Sequence, residues 1–195
     1  MSLESGEDKM KKAFKNAMSE NPVIAAVKSY EKIDEAVNSD CRVIFILCGD
    51  IFNLKEMVDK AKAKGKLVFI HTDLIEGFSR DATALKYIAE RICPDGIIST
   101  KNSQLKTAKQ MGLLTVHRLF IIDSLSIETT VRASALIEPD AVEIMPGIMP
   151  RITKRLASEL SVPVIVGGLI SEKDDIKNAI ENGAEGVSTS DNKLW

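Results

Sequence analysis

The sequence predicts an α/β chain of the (β/α)8, TIM-barrel-like class, with an extra N-terminal helix and an abbreviated last unit. Three observations carry this. Eight short β-branched runs alternate with apolar-rich helical patterns of roughly 10 to 15 residues, the arrangement that builds parallel βαβ units. Each run ends in, or within two residues of, a polar residue or glycine, as a barrel requires whose middle is packed by side chains while its rim carries the chemistry. No linker or low-complexity tract interrupts the alternation, so a single domain over residues 1–195 is expected. The runner-up is an open doubly wound sheet.

Taken in order, an amphipathic helix from about Asp8 to Ser19 precedes the first strand and is placed to plug the bottom of the barrel. The expected strands run from Val23 to Val27, Arg42 to Leu47, Leu67 to His71, Gly96 to Ser99, Leu114 to Arg118, Ala141 to Met145, Val164 to Val166 and Gly186 to Ser188. Between them, Asp50 or Asn53 before Leu54, Ser103 before Gln104 and Ser171 before Glu172 read as helix N-caps. Gly65, Gly112 and Gly183 read as the glycines that close helices. Pro94 and Pro139 each end a helix just ahead of a strand, because proline disfavours the helical conformation of the residue before it. After the eighth strand the chain stops at Asn192-Lys-Leu-Trp195, too short for a full helix.

Composition narrows the class. Of the 195 residues 45% are hydrophobic but only 5% aromatic, and the formal charge is −2, a balance that fits a soluble, aliphatic-cored protein with no global basic signal for nucleic acid. Cys41, Cys48 and Cys93 are odd in number, lack metal-ligand spacing and sit in or beside apolar runs, so buried reduced thiols and a cytoplasmic location are expected. No apolar stretch approaches the roughly 20 residues of a membrane span, and the start is charged rather than signal-like. Met1 to Gly6 read as partly appended residues.

Chemistry concentrates at the strand ends. Pro163-Val-Ile-Val-Gly-Gly-Leu-Ile170, followed one βα unit later by Gly186-Val-Ser-Thr-Ser190, sets two Gly/Ser-rich strand ends at the spacing of a phosphate site after strands 7 and 8. Gly167 and Gly168 let backbone approach an oxyanion; Ser188, Thr189 and Ser190 supply hydroxyl donors. The plainer reading makes the glycines a tight turn and the hydroxyls caps. His71 and Asp73 share one side if their strand continues, an acid/base pair or a rim residue beside a loop cap. The stretch Glu76 to Asp81 has the character of a flexible loop, with Ser79 or Asp81 as cap. Lys101 and Arg118 bring cations to the same mouth, Arg118 being the better anion binder because its guanidinium forks onto two oxygens. Glu143, in an otherwise apolar strand, either accepts hydrogen bonds from substrate hydroxyls or pairs with Arg118 or Lys101.

Several segments together resemble one known family, the glycerol-3-phosphate-responsive antiterminators, the glycerol uptake operon antiterminator regulatory proteins. They are His71-Thr-Asp-Leu-Ile-Glu-Gly77 with Asp81, Gly96-Ile-Ile-Ser-Thr-Lys101, Arg118-Leu-Phe-Ile-Ile-Asp-Ser124, Val142-Glu-Ile-Met-Pro-Gly147, Gly167-Gly-Leu-Ile170, and Val187-Ser-Thr-Ser190 ending in Leu194-Trp195. The resemblance covers essentially the whole chain. It implies a barrel-like, non-catalytic regulator, without cofactor or metal, that binds glycerol 3-phosphate and acts on the leader mRNA of a glycerol operon to prevent premature termination of transcription. Gly167, Gly168, Ser188 and Thr189 would then hold the phosphate; His71, Asp73, Lys101, Arg118 and Glu143 would line the rest, with Ser190 and Gly147 beside them.

For RNA itself the residues offer only local charge: Lys9, Lys11, Lys12 and Lys15 on the first helix, Lys60, Lys62, Lys64 and Lys66 around the second, and Arg151, Lys154 and Arg155 after strand 6. Such runs are usually solvated faces, although a homodimer that set two of them side by side would raise the local field. The alternative class is a barrel enzyme of the aldolase or isomerase type acting on a small phosphate ester. The phosphate loops suit both, and His71 with Asp73 keeps the second alive.

Overall fold

The first helix, α1 (Gly6–Glu20), turns Phe14, Ala17 and Met18 to one side and buries them. In the computed structural model, which describes residues 6–195, that side closes the lower end of a barrel; Met1 to Ser5 lie outside the described residues. The strands are β1 (Val23–Val27), β2 (Val43–Ile46), β3 (Leu67–His71), β4 (Gly96–Ser99), β5 (Leu114–Phe120), β6 (Ala141–Met145), β7 (Val164–Gly167) and β8 (Gly186–Thr189). Every strand runs parallel to its sequence neighbour, and β1 closes on β8 with Val23 opposite Val187 and Ala25 opposite Thr189. Closure excludes the doubly wound alternative.

Among the described residues seven α-helices lie outside: α2 (Ile33–Asn38), α3 (Leu54–Ala63), α4 (Ala82–Tyr87) continued by a π-helical turn Ile88–Ile92, α5 (Asn102–Gln110), α6 (Ser124–Ile137), α7 (Pro150–Glu159) and α8 (Lys173–Glu181). The eighth unit is a 3-10 turn, Asn192–Leu194, and the Trp195 indole N–H donates to the Thr189 carbonyl at 2.8 Å. One apolar cluster fills the barrel's lower interior: Phe14 and Met18 meet Ile24, Phe45, Phe69, Val116 and Ile165. Two others lie between strands and helices. No helix among the described residues is long and apolar enough to cross a membrane.

Three expectations about local structure change. Asn53 does stand at the N-cap of α3, but its side chain and that of Asp50 bond the turn before the helix, where the Asp50 N–H donates to Asn53 Oδ1. Lys101 and Glu172, not Ser103 and Ser171, hold the N-cap positions of α5 and α8; for α8 the box is closed by Asp175, whose carboxylate accepts the Glu172 N–H. The thiols are all free but not all buried: Cys41 is, Cys48 is half-buried, and Cys93 is exposed because it ends a helix in the left-handed conformation. Gly65, Gly112 and Gly183 take the positive φ expected of helix-closing glycines.

Candidate functional site

Inward side chains alternate along each strand, so the residue two positions above a lower-interior apolar one also faces the barrel axis. That rule lifts His71 above Phe69, Arg118 above Val116, Glu143 above Ala141, Gly167 above Ile165 and Ser188 above Gly186, into one upper layer. Register then pairs them: Arg118 is opposite Glu143, and Gly167 is opposite Ser188.

At the centre is a buried ion pair. Arg118 Nε donates to Glu143 Oε2 at 2.6 Å, the side chains being 7% and 0% exposed, and the Ser188 hydroxyl donates to Glu143 Oε1 at 2.5 Å. Glu143 therefore has a partner on both oxygens, which is what keeps a fully buried carboxylate tolerable. With Nε committed, the terminal guanidinium nitrogens of Arg118 are the part left to fork onto an oxyanion.

Beside this pair, His71 Nδ1 lies 3.9 Å from Asp73 Oδ2, beyond hydrogen-bonding reach. Burial, helped by the Arg118 charge, pushes the His71 imidazole down to about 4 against the opposing pull of Asp73, so the ring is neutral near pH 7. Asp73 knits two loops: its Oδ2 accepts from the Ser99 hydroxyl at 2.9 Å and the Thr100 N–H at 3.1 Å, and Lys101 Nζ stands 3.6 Å from Oδ1. Burial alone would raise the Asp73 carboxyl; the bonds from Thr100 and Ser99 and the charges of His71 and Lys101 outweigh it and hold the group below the usual range.

Above the upper layer opens a crevice of about 370 Å³ lined by Arg118, Gly168, Leu169, Ile170, Ser188, Thr189 and Ser190, together with Ala26, Lys28, Leu47, Leu74 and Met145. Five of the sequence-predicted residues thus meet on one cavity. Gly168, at φ +78, makes the turn at which the chain leaves β7, and a Cβ there would meet Met145 Cε at 2.7 Å. Leu169 follows in the same left-handed conformation at φ +62, unusual for a branched side chain. This double turn lays the backbone of 168–170 against the crevice. The N–H groups of Gly168, Leu169 and Ser190 find no acceptor among the described residues, and such main-chain donors suit an oxyanion.

The remaining predicted residues sit differently. Thr189 lines the crevice but its hydroxyl donates to the Ile170 carbonyl at 3.0 Å, and Ser188 is spent on Glu143, so Ser190 carries the hydroxyl left for a ligand. Gly167 is needed for packing: a Cβ would crowd the Ser188 hydroxyl and stand 2.7 Å from Glu143 Oε1. Gly147 lines a separate hollow with Pro150, Asp175 and Asn178, and its N–H donates to the Gly168 carbonyl at 2.9 Å. His71, Asp73, Lys101 and Glu143 flank or underlie the crevice without lining it. Sequence reading missed Lys28, an exposed cation directly after β1; its only signal was its place at a strand's upper end.

The family model described as glycerol-3-phosphate responsive antiterminator matches residues 23–195. "Uncharacterized protein YgcP" of Escherichia coli (strain K12) is 40% identical over 176 residues, 90% of this chain and 92% of that protein. The crystal structure of the glycerol uptake operon antiterminator regulatory protein from Listeria monocytogenes str. 4b F2365 is 35% identical and superposes with a TM-score of 0.85, covering 90% of this chain and 95% of the other. That of a glycerol uptake operon antiterminator-related protein from Thermotoga maritima MSB8 is 29% identical with a TM-score of 0.78, covering 89% and 96%.

Proposed function

Because the chain belongs to the glycerol-3-phosphate responsive antiterminator family, we propose that it is a glycerol-operon regulator that senses glycerol 3-phosphate in the upper crevice and, when loaded, acts on the leader mRNA of the operon to prevent termination. Such a regulator works where the transcript is made, in the cytoplasm. The observation that carries the sensing half is the convergence on one small cavity of the Arg118 guanidinium, Lys28, the Ser190 hydroxyl and the main chain of 168–170. A phosphate dianion matches those donors, and guanidinium with main-chain N–H groups is a recurrent way to hold one. The glycerol end then faces the side of the mouth where Asp73 and neutral His71 offer acceptors and a donor for hydroxyls.

A route from ligand to RNA follows from one hydrogen bond. The Gly147 N–H holds the Gly168 carbonyl, so a phosphate that draws in the 168–170 turn also pulls the loop leading to Pro150 and the start of α7. That helix carries Arg151 and Lys154, exposed and without an ion pair among the described residues. Several other predicted basic groups are occupied: Lys11 by Glu7 and Asp140, Lys60 by Glu56 and Asp34, Lys62 by Asp95, Arg155 by Glu159, and Lys66 by the carbonyls of Ser39 and Cys41, whereas Lys9, Lys15 and Lys64 have no ion pair among the described residues. Ligand binding shifts the population toward the arrangement of α7 that RNA prefers.

Calorimetric titration of glycerol 3-phosphate, with glycerol and inorganic phosphate as controls, tests the first half on the wild type and on Lys28→Ala and Ser190→Ala, two exposed positions outside the core. Saturable binding of the ester, weakened in both variants, is expected. Absence of binding to the wild type overturns the sensor, and turnover of the ester overturns the regulator in favour of an enzyme. For the second half, leader-RNA affinity is measured by fluorescence anisotropy with and without saturating ester; equal affinities remove the coupling.

A further inference from the structure

We propose that the outward face of α6 is a self-complementary docking surface on which a second copy of this chain packs antiparallel about a two-fold axis. α6 is the most apolar of the longer helices. Its inner side rests on the barrel through Ile127, Thr130, Ser134 and Ile137, yet Leu125 and Leu136 on the opposite side are 63% and 67% exposed. Between them, also exposed, stand Glu128 and Arg132, whose charged ends are 3.7 Å apart.

The order of these four residues is what selects the partner. Leu125, Glu128, Arg132 and Leu136 follow one another at steps of three and four, which keeps them on one stripe of the helix. Laid against a reversed copy of itself, the stripe sets leucine against leucine at both ends, Glu128 against Arg132 and Arg132 against Glu128. Every group then meets its complement, which is the condition an isologous two-fold contact imposes on a surface. An unrelated partner of either charge would match one of the two central residues and repel the other.

Local structure supports the same contact. Thr129, small and exposed, sits near the midpoint where the axis would cross, and the two leucines are about 16 Å apart along the helix. The helix start is fixed by a capping box: Asp123 Oδ1 accepts the Ser126 N–H at 2.8 Å, and Ser126 Oγ accepts the Asp123 N–H at 3.1 Å. Just before that box Phe120 and Ile122, 53% and 86% exposed, continue the apolar surface. None of the four stripe residues lines the crevice, so this proposal stands apart from the ligand reading.

Sedimentation velocity on the full chain tests it with a charge exchange. The wild type should sediment at twice the 21.4 kDa of one chain. Glu128→Arg alone, and Arg132→Glu alone, each set like charges against each other twice per dimer, and each should weaken self-association about tenfold or more. Mixing the two single variants restores opposite charges at both pairs, so the mixture should recover dimer that neither variant forms alone. Both substitutions touch only one exposed intrahelical pair, and unchanged far-ultraviolet circular dichroism would verify folding. A monomeric wild type, single variants that dimerise like the wild type, or a mixture that stays monomeric would each overturn the proposal.

Discussion

In the lower half of the barrel Phe69 stacks tilted on Phe14 with ring centroids 4.6 Å apart and meets Phe45 edge-on at 5.6 Å, whereas one layer higher the interior is filled by His71, Arg118, Glu143 and Ser188. Both layers are buried and both are full. The lower one is held by area removed from water and by contact between matched shapes. The upper one is held by the partnering of Arg118, Glu143 and Ser188, a stricter condition, since a group deprived of its partner costs more than the pair contributes; His71 Nδ1 beside them has no hydrogen-bond partner among the described residues. A fold that needed only stability would continue the lower pattern upward; the upper layer departs from it where the crevice opens.

The sharpest contrast comes from removing one member of each layer. Glu143→Leu strands the buried Arg118 guanidinium and should cost about 3–5 kcal/mol in urea unfolding. Adding Arg118→Met to it should return most of that loss, because the charge left alone is gone. Phe69→Ala should cost about as much, 3–5 kcal/mol, through the cavity it opens, but no second polar substitution will repair it. If Glu143→Leu alone were neutral, the upper layer would be packing like the lower, and the contrast would fail.

A second difference is in pH. His71 has its folded-state pKa pushed down to about 4 from an ordinary 6.5, so below 6.5 the unfolded chain binds a proton that the folded chain refuses. Stability is complete above about pH 6.5 and falls as the pH drops toward 4, by up to about 3 kcal/mol for a shift of this size. Asp73 acts in a separate window: its pKa is depressed, so its contribution is lost only below the ordinary carboxylate range. Urea unfolding at a series of pH values should show the slope between 6.5 and 4 in the wild type and its partial flattening in His71→Gln; buried His117, whose pKa burial also lowers, keeps a slope of the same sign. The lower layer, which holds no titrating group, adds nothing to that slope.

How much of this contrast was legible beforehand depended on whether a property repeats along the chain. Strand count, the plugging helix and the short last unit follow from alternation and from where the apolar runs stop, and the structure matches them almost to the residue. The strand ends were also readable, since Gly167-Gly168 and Ser188-Thr189-Ser190 stand out in composition. What could not be read was which hydroxyl is free. Ser188 and Thr189 are spent on Glu143 and on the Ile170 carbonyl, partners 45 and 19 residues away that only the closed register brings near. Lys28 escaped for the same reason: one lysine after a strand has no pattern, and its place on the crevice with Ser188 to Ser190 comes from the closure of β1 on β8. Exposure of Cys93 depended on how a π-helical turn ended.

Gly167→Ala probes the seam between the layers. The added methyl would stand 2.7 Å from Glu143 Oε1 and closer still to the Ser188 hydroxyl, so the hydrogen bond joining β6 to β8 must give way. An overpacked site of this kind costs about 1–3 kcal/mol. Calorimetric binding should weaken along with stability, because Arg118 is held through the same carboxylate.

Leu169→Gly should have the smallest effect on stability and the more telling effect on binding. Leucine pays roughly 1–2 kcal/mol to sit in the left-handed conformation, while glycine takes it freely but gives back about 0.4–1 kcal/mol through the entropy of its unfolded chain. The fold should therefore gain between nothing and about 1.6 kcal/mol. Leu169 is 69% exposed, so packing does not explain why a strained leucine stands where glycine would be easier. If the strain serves to hold the 168–170 backbone against the crevice, the variant will melt slightly higher and bind glycerol 3-phosphate more weakly. A variant that gains stability and loses no affinity would place the upper layer under the same rule as the lower one, with fit alone deciding what is kept.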